Sequence, residues 1–444
     1  MERGMVMKTQ YRTLQIWMNG ILIGTLEKNP YGGLMFSYVQ EWLNLPGARP
    51  ISLSLPLVGQ KFLGDIVYNF FDNLLPDNPM IKSRIQKRFQ ISTNQPFDLL
   101  ASIGKDCVGA IQLFDTKEGM TFSREMAFAP LNNKEIAAIL RNIQHNPLGM
   151  SEDFDDFRIS IAGAQEKTAF LYWNNEWNRP MNATPTTHIF KLPIGYIQYQ
   201  QMDLSDSCEN EWLCTLIAET FGLPVAKSEI QYFADVKVLV VERFDRKLSS
   251  NGKWLMRLPQ EDICQALGVS PHLKYQSDGG PGFQNIMKLL MGSIDPIHDR
   301  DMFFRSQVLF WLLAAIDGHG KNFSVFIEAE GKFRLTPLYD IMSAYPLIFK
   351  GQLEEKKIKM AMAMALKGKN NHYHWFSLQR RYFLETAKSS NYSVQNAEII
   401  LDEMLANVET VIEKVCKKLP KNFPNTVSKP IFDGMLAAKK KLLK

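Results

Sequence analysis

Asp317, Asn322 and Asp340 are the residues whose types and spacing bear most directly on chemistry. The run Asp317-Gly-His-Gly-Lys-Asn322 sets an amide shortly after a carboxylate. A second carboxylate follows beyond a hairpin-like stretch, at Tyr339-Asp340. Phosphoryl transfer asks little covalent help of a protein. It needs a carboxylate that orients and deprotonates the attacking hydroxyl, and oxygen ligands that hold Mg²⁺ against the phosphates. Asp317 suits the first task. Asn322 and Asp340 suit the second, because Mg²⁺ takes a few carboxylate or amide oxygens and completes its shell with phosphate and water. Protein kinases use this order of Asp, Asn and Asp. The D-x-x-x-x-N spacing alone recurs by chance, and an Asp after a helix can be a simple cap, so the weight rests on the three together. Lys321 could steady the transferring group or be a surface lysine. His319 could approach the phosphates or be structural.

A second group lies upstream. Ala162, Gly163, Ala164, Gln165, Glu166 and Lys167 form a turn whose backbone N–H groups could face phosphates, with Gly163 allowing close approach. One glycine is a weak phosphate-loop signal; this is neither a Walker motif nor G-x-G-x-x-G. Lys191 follows on a later strand and suits a phosphate contact. Glu211, on the next helix, could pair with it or face solvent. Asp278-Gly-Gly-Pro-Gly282 is the most glycine-rich turn, but it lacks a Lys-Ser/Thr step and reads as a structural loop.

The elements that must hold these residues are legible in part. Asn19-Gly20 between Gln15–Met18 and Ile21–Gly24 is a strong hairpin signal. Alternation predicts a strand over Ile51–Leu57, and another is expected over Val108–Phe114. Phe70 to Arg88 has helical character interrupted by Pro76 and Pro79. Asn132 or Asn133 could cap a helix over Lys134–His145. Ser151 to Asp156 reads as an acidic loop. Strands are expected over Thr168–Trp173, Thr187–Lys191 and Val236–Glu242, and a helix over Glu209–Phe221. Further on, Phe303–Ala315 reads as a core helix. Phe323–Phe326 and Phe333–Leu335 read as a hairpin around Glu330-Gly331, and Ala397–Leu419 as one amphipathic helix.

Bulk properties narrow the class. A chain of 444 residues exceeds one hydrophobic core, so two or three domains are expected. The net charge of +5 is too small for this length to argue for nucleic acid. The local basic groups (Lys439, Lys440, Lys441 and Lys444; Lys367, Lys369, Arg380 and Arg381) read first as solvated faces. Five scattered cysteines fit neither a zinc site nor a disulfide framework, which favours a reducing compartment. No signal peptide is legible in MERGMVMKTQYRTLQIW. The longest apolar run, Val308–Ile316, is far shorter than the roughly twenty residues of a membrane span. A soluble, cytoplasmic protein is expected.

Several long motifs resemble one family, the HipA kinase toxins of bacterial toxin–antitoxin modules, including its enterobacterial representative. They are Ile159-Ser-Ile-Ala-Gly-Ala-Gln-Glu-Lys-Thr168, Thr187-His-Ile-Phe-Lys-Leu-Pro193, Val241-Glu-Arg-Phe-Asp-Arg246 and Asp317-Gly-His-Gly-Lys-Asn-Phe-Ser324. Arg257-Leu-Pro-Gln-Glu-Asp262, Lys274-Tyr-Gln-Ser-Asp-Gly-Gly-Pro-Gly282, Ile51–Leu57 and Asn69–Asp77 match as well. The resemblance implies an α+β, two-lobed protein-kinase-like fold with a small N-terminal β-rich subdomain and a mostly helical C-terminal lobe. The expected divisions are residues 1–120, 121–245 and 246–444. Asp317 would be the catalytic base, and Asn322 and Asp340 the Mg²⁺ ligands. Residues Ala162 to Lys167 would cradle the ATP phosphates and Lys191 would contact them. Glu242, Arg243 and Phe244 would line the adenine, while His319, Gly320, Lys321 and Tyr339 would complete the nucleotide site. Gly320 departs from the better-known member, which has alanine; the expected effect is a more flexible loop. Ser160 would be an autophosphorylation site. The resemblance further implies a HipB-like helix-turn-helix antitoxin as partner, operator DNA bound through that complex, and an aminoacyl-tRNA synthetase substrate, characteristically the glutamate enzyme. Arg381 falls at a position that would contact DNA. A small-molecule or lipid kinase of similar fold, and a non-catalytic co-repressor, remain the alternatives.

Overall fold

The computed structural model describes residues 11–57, 61–116, 125–152, 156–354 and 360–443. The N-terminal decapeptide, the middle of the Ser151–Asp156 loop and Lys444 lie outside them.

Strands β1 (Arg12–Met18) and β2 (Ile21–Lys28) pair antiparallel about Asn19 and Gly20. Both turn residues have positive φ, as the expected tight hairpin requires. With β3 (Leu34–Tyr38), β4 (Lys61–Leu63) and β5 (Ile111–Asp115) they form a sheet of order β4-β3-β2-β1-β5. Leu14, Ile16 and Met18 alternate inward. Helices Asp65–Asp72, Pro79–Arg88 and Pro96–Ile103 supply the facing core, with Phe70 and Phe71 fully enclosed. Asn78 caps the second helix at Met80 N and Pro79 occupies its first position, so the break expected at the two prolines is present.

The strand expected at Ile51–Leu57 does not form. Ser52 and Leu55 make only an isolated bridge. The polar groups there are claimed by distant partners: Leu53 N donates to Glu261, and the Ser54 hydroxyl donates to the Gln265 carbonyl. Alternation therefore reflects contacts with the C-terminal part rather than pairing in a sheet.

The second sheet contains β6 (Phe128–Pro130), β7 (Lys167–Trp173), β8 (Glu176–Pro180), β9 (His188–Lys191), β10 (Ser228–Phe233) and β11 (Val236–Glu242). Its order is β10-β11-β9-β7-β8-β6, all antiparallel. Along β11, Val238 and Val240 pack with Ile136, Ala137 and Leu140 of helix Asn133–Arg141. Leu239 and Val241 pack with Cys208 on helix Ser207–Thr220. Coverage on both faces explains the apolar run Val238–Val241 within β11. Asn132 and Glu135 close a capping box on the first of these helices.

The C-terminal lobe is built around helix Pro296–Leu312, which starts earlier than expected because Asp295 caps it at His298 N. Phe303, Phe304, Trp311 and their neighbours are wholly buried. A three-stranded sheet, Gln260–Asp262, Ser324–Ile327 and Phe333–Leu335, lies beside it. Its last two strands are the predicted hairpin. The helix expected over Ala397–Leu419 is instead two, Val394–Ala406 and Val408–Cys416, broken at Asn407. There the Asn407 side chain donates to the Glu403 carbonyl and competes with the helix backbone.

Buried charges tie these parts together. Asp106, beyond the third N-terminal helix, accepts hydrogen bonds from Arg246 at 2.9 Å, Arg257 at 3.1 Å and the Thr186 hydroxyl at 2.8 Å. Arg243 chelates Asp245 at 2.9 and 2.8 Å, and Asp245 accepts from Gly109 N at 2.7 Å. Burial opposes the charge on Asp106, but the three guanidiniums outweigh it and hold the carboxyl well below its usual range.

Candidate active site

Lys191 ends β9, and its ammonium meets two carboxylates: Glu211 Oε1 at 2.6 Å and Asp340 Oδ1 at 2.9 Å. Glu211 projects from helix Ser207–Thr220 and is buried, so the solvent-facing alternative falls away. Burial acts against the charge of Lys191, yet Asp340 and Glu211 outweigh it and raise its pKa.

Asp340 has a backbone φ of +61°, in the left-handed region. Its side chain keeps 40% of its surface open to the cleft. Burial would raise its pKa; Lys191 and Lys167 more than reverse this and hold it anionic. Asn322 Nδ2 lies 3.4 Å from Asp340 Oδ2, and its Oδ1 accepts from His319 N at 3.2 Å. The Asn322 N–H thus faces the carboxylate while its oxygen is held by His319 N; a half-turn of the amide would set the two side-chain oxygens side by side. That hard-oxygen pair fits Mg²⁺ shared with phosphates, and these are the residues that would hold it.

Asp317 stands just beyond helix Pro296–Leu312, exposed to the cleft, and accepts the Tyr275 hydroxyl at 2.5 Å. The next residue must be glycine: a Cβ on Gly318 would lie 2.3 Å from the Phe310 ring. Gly320 is buried rather than loose, since a Cβ there would meet Cys264 Sγ at 3.0 Å and Pro281 at 3.2 Å. The position reflects packing, not added flexibility. Burial pushes the His319 pKa down, and its ring Nδ1 has no hydrogen-bond partner among the described residues.

In the phosphate-loop candidate, Gly163 has φ +107° and Lys167 Nζ donates to the Ala162 carbonyl at 2.8 Å. That φ favours glycine, and a Cβ on Gly163 would also fall 2.3 Å from the ammonium and displace it. Burial, then Lys191, lower the Lys167 pKa to about 8. The Gln165 side chain donates to the Leu192 carbonyl at 2.5 Å, and Glu166 is ion-paired with Arg84 of an N-terminal helix. These two side chains brace the loop, leaving its backbone and Lys167 toward the cleft. Ser160 is fully buried and outside any strand, with its hydroxyl donating to the Leu74 carbonyl at 2.8 Å.

Two other expected residues serve differently. The Arg243 guanidinium is consumed by Asp245 and Asp106, so only its backbone is left for an adenine; Glu242 and Phe244 line the cleft beside it. Lys321 is buried against Asp262 at 2.9 Å and Asn73 Oδ1 at 2.7 Å, which makes it a strut between lobe and N-terminal domain. Tyr339 reinforces it: its hydroxyl donates to the Lys321 carbonyl at 2.8 Å, and its ring lies 5.9 Å from that of Phe244. Arg381, on helix Arg380–Ser389, is exposed, and its guanidinium sits over the Tyr382 ring.

All these groups except Ser160 and Arg381 surround one cleft of about 730 Å³ or brace its walls. The sequence reading missed three contributors. Asp77 of the N-terminal domain donates its N–H to the Gly163 carbonyl at 3.0 Å and pairs with Lys274 at 3.4 Å. Gln260 lines the cleft with an Oε1 that has no donor among the described residues. Tyr275 holds Asp317. All three lie in motifs already noted in the sequence, but no spacing rule links them to the catalytic stretch.

A lysine–glutamate pair on a sheet and its helix, facing an Asp…Asn…Asp set across a deep cleft, defines an enzyme of the protein-kinase class. A family model described as HipA-like C-terminal domain matches residues 159–412, and one described as HipA N-terminal domain matches residues 14–114. The chain belongs to the HipA family. A putative kinase, Y4mE, of Sinorhizobium fredii is 33% identical over 341 residues, covering 76% of this chain and 78% of that protein. The serine/threonine-protein kinase toxin HipA of Shewanella oneidensis is 28% identical over 344 residues, covering 74% and 75%. A solved Shewanella oneidensis complex of HipA, HipB and operator DNA superposes with a TM-score of 0.79 at 23% identity, covering 97% of both chains, which establishes the shared two-lobed fold.

Proposed function

We propose that this chain transfers the γ-phosphate of ATP to serine hydroxyls of protein, as the toxin of a toxin–antitoxin module. The observation that carries the reading is the Lys191 ammonium bridging Glu211 and Asp340 in the cleft that Asp317 faces. Asp317 accepts the proton of the attacking hydroxyl. Lys191 and Lys167, with the loop backbone from Ala162 to Lys167, balance and orient the phosphate oxygens. Mg²⁺, held by Asn322 and Asp340, would neutralise charge on the phosphates. Glu242, Arg243 and Phe244 border the end of the cleft available to adenine.

Membership of the family supports the reading of its partners. A relative of the same fold is known in complex with HipB and operator DNA, which supports a HipB-like antitoxin and operator contact through it. Arg381 is an exposed candidate for such a contact. The substrate we favour is an aminoacyl-tRNA synthetase, the glutamate enzyme first. Ser160 is the proposed site of self-inactivation. No helix among the described residues is long and apolar enough to cross a membrane.

The test is incubation of the purified chain with Mg²⁺ and ATP labelled at the γ-phosphate. Label on this chain and on added glutamate–tRNA ligase is expected. Label confined to a small molecule or lipid would replace protein with that acceptor. Antitoxin binding with no transfer to any acceptor would leave a co-repressor.

A further inference from the structure

The glycine-rich turn Asp278–Gly282 has no part in the scheme above, yet it is built with unusual closeness. A Cβ on Gly280 would stand 1.7 Å from the Leu273 carbonyl oxygen, and one on Gly282 would stand 2.2 Å from the Gln276 side chain. The turn folds back on the residues just before it. Asp278 N and Gly280 N both donate to the Tyr275 carbonyl, at 3.1 and 2.9 Å. Gln276 Oε1 is fixed by Ala365 N at 2.8 Å. The Lys274 carbonyl accepts Gly320 N at 3.1 Å, which joins this turn to the catalytic stretch. Between these anchors, the Tyr275 ring meets His319 edge-on at 5.0 Å and its hydroxyl reaches Asp317 Oδ1 at 2.5 Å.

We propose that Tyr275 is a positioning residue for phosphoryl transfer: it fixes the rotamer of Asp317 so that the other carboxylate oxygen meets the attacking hydroxyl. This rests on the assignment of Asp317 as the base. Asp317 is exposed, and Tyr275 is the one hydrogen-bond donor to its side chain recorded among the described residues. An unheld carboxylate would sample several rotamers, of which few are productive. During transfer the serine O–H proton passes to Asp317, the serine oxygen forms its bond to the γ-phosphorus, and the bond from that phosphorus to the bridging oxygen breaks, releasing ADP. Tyr275 keeps its proton throughout. Burial and the neighbouring Asp317 both raise its pKa, which suits a fixed donor and not an acid.

The test compares the full chain with Tyr275→Phe, Asp317→Asn and the double variant. The readouts are Mg·ATP affinity and the rate of label transfer to the chain at saturating ATP. Tyr275→Phe keeps the ring against His319, so retained ATP affinity reports an intact loop. We expect Tyr275→Phe to slow transfer about ten-fold, the scale of one hydrogen bond to a charged group, with ATP affinity within about two-fold of the parent. The double variant should be no slower than Asp317→Asn alone, because Tyr275 acts through Asp317. A full rate in Tyr275→Phe beside a crippled Asp317→Asn would overturn this proposal alone. A loss of ATP affinity that accounts for the whole defect would make Tyr275 structural and overturn it too. A full rate in Asp317→Asn would overturn the assignment of the base itself.

Discussion

The Ser160 hydroxyl donates to the Leu74 carbonyl at 2.8 Å, fastening the flank of the proposed phosphate loop to the N-terminal domain. The site is fully buried, and Ser160 N is already bonded to the Asp106 carbonyl at 2.9 Å. A phosphate here adds about −1.5 to −2 charges at neutral pH, which a carbonyl-lined pocket cannot hold. Phosphorylation of Ser160 therefore requires the segment to swing out and keeps it out. Mass spectrometry after incubation with Mg·ATP should find phosphate on Ser160, and the phosphorylated form should bind ATP at least about ten-fold more weakly. Ser160→Ala should not accumulate the inhibited form. Full ATP affinity in the phosphorylated protein would refute the mechanism.

Asp340→Asn keeps a side-chain oxygen but removes the negative charge that meets Lys191 and that would face Mg²⁺. Calorimetric titration of Mg·ATP at limiting Mg²⁺ should show affinity reduced by about ten-fold or more. Asp317→Ala, measured in parallel, should retain ATP binding and lose transfer by about a hundred-fold to ten-thousand-fold. The two defects separate nucleotide binding from base catalysis; unchanged affinity in Asp340→Asn would make that carboxylate structural.

Lys167 sets a pH dependence. Its pKa in the folded protein is about 8, against 10.5 ordinarily. Below about pH 8 both folded and unfolded chains carry the proton, and the buried ammonium exacts its full cost in stability. Between about 8 and 10.5 the unfolded chain still holds a proton that the folded chain has released, so this contribution to stability rises with pH. Melting curves across that range should show the rise in the parent and its loss in Lys167→Met. Phosphates favour the ammonium, so Mg·ATP binding near pH 9 should take up a proton. Calorimetry in two buffers of different ionisation enthalpy measures that uptake directly.

Asp106→Ala should be among the most damaging changes outside the cleft. It strips Arg246 and Arg257 of a partner they cannot replace from solvent. A loss of about 3 kcal/mol or more in urea unfolding is expected, because removing one member leaves buried charge uncompensated.

What was legible in the sequence divides along chain distance. The Asp317–Asn322 stretch, the Gly163 turn and the Asn132 cap depend on neighbours a few residues away, and their types declare them. Lys191 and Glu211 were recognisable as a possible pair because the helix is the next one along the chain after that strand. Arg243 and Lys321 were assigned to the nucleotide although their cationic groups face inward. Besides Asp245 and Asp262, they meet Asp106 and Asn73 of the N-terminal domain, separated by 137 and 248 residues. No periodicity or spacing encodes such an encounter. The same holds for Asp77, whose place in the cleft depends on how that domain docks. Ile51–Leu57 misled because alternating burial arises wherever one side of an extended segment meets a wall, whether or not a second strand is beside it.

The left-handed backbone of Asp340 also constrains its history. At that φ, glycine, asparagine and aspartate are the residues that sit with least strain. In the genetic code an aspartate codon becomes asparagine or glycine by one base change. Both replacements suit the backbone, and neither carries the charge that Lys191 meets. On the proposed chemistry, either single substitution would weaken this cleft while suiting the backbone and leaving the outer surfaces untouched. Any role that depends on those surfaces alone would outlive the chemistry.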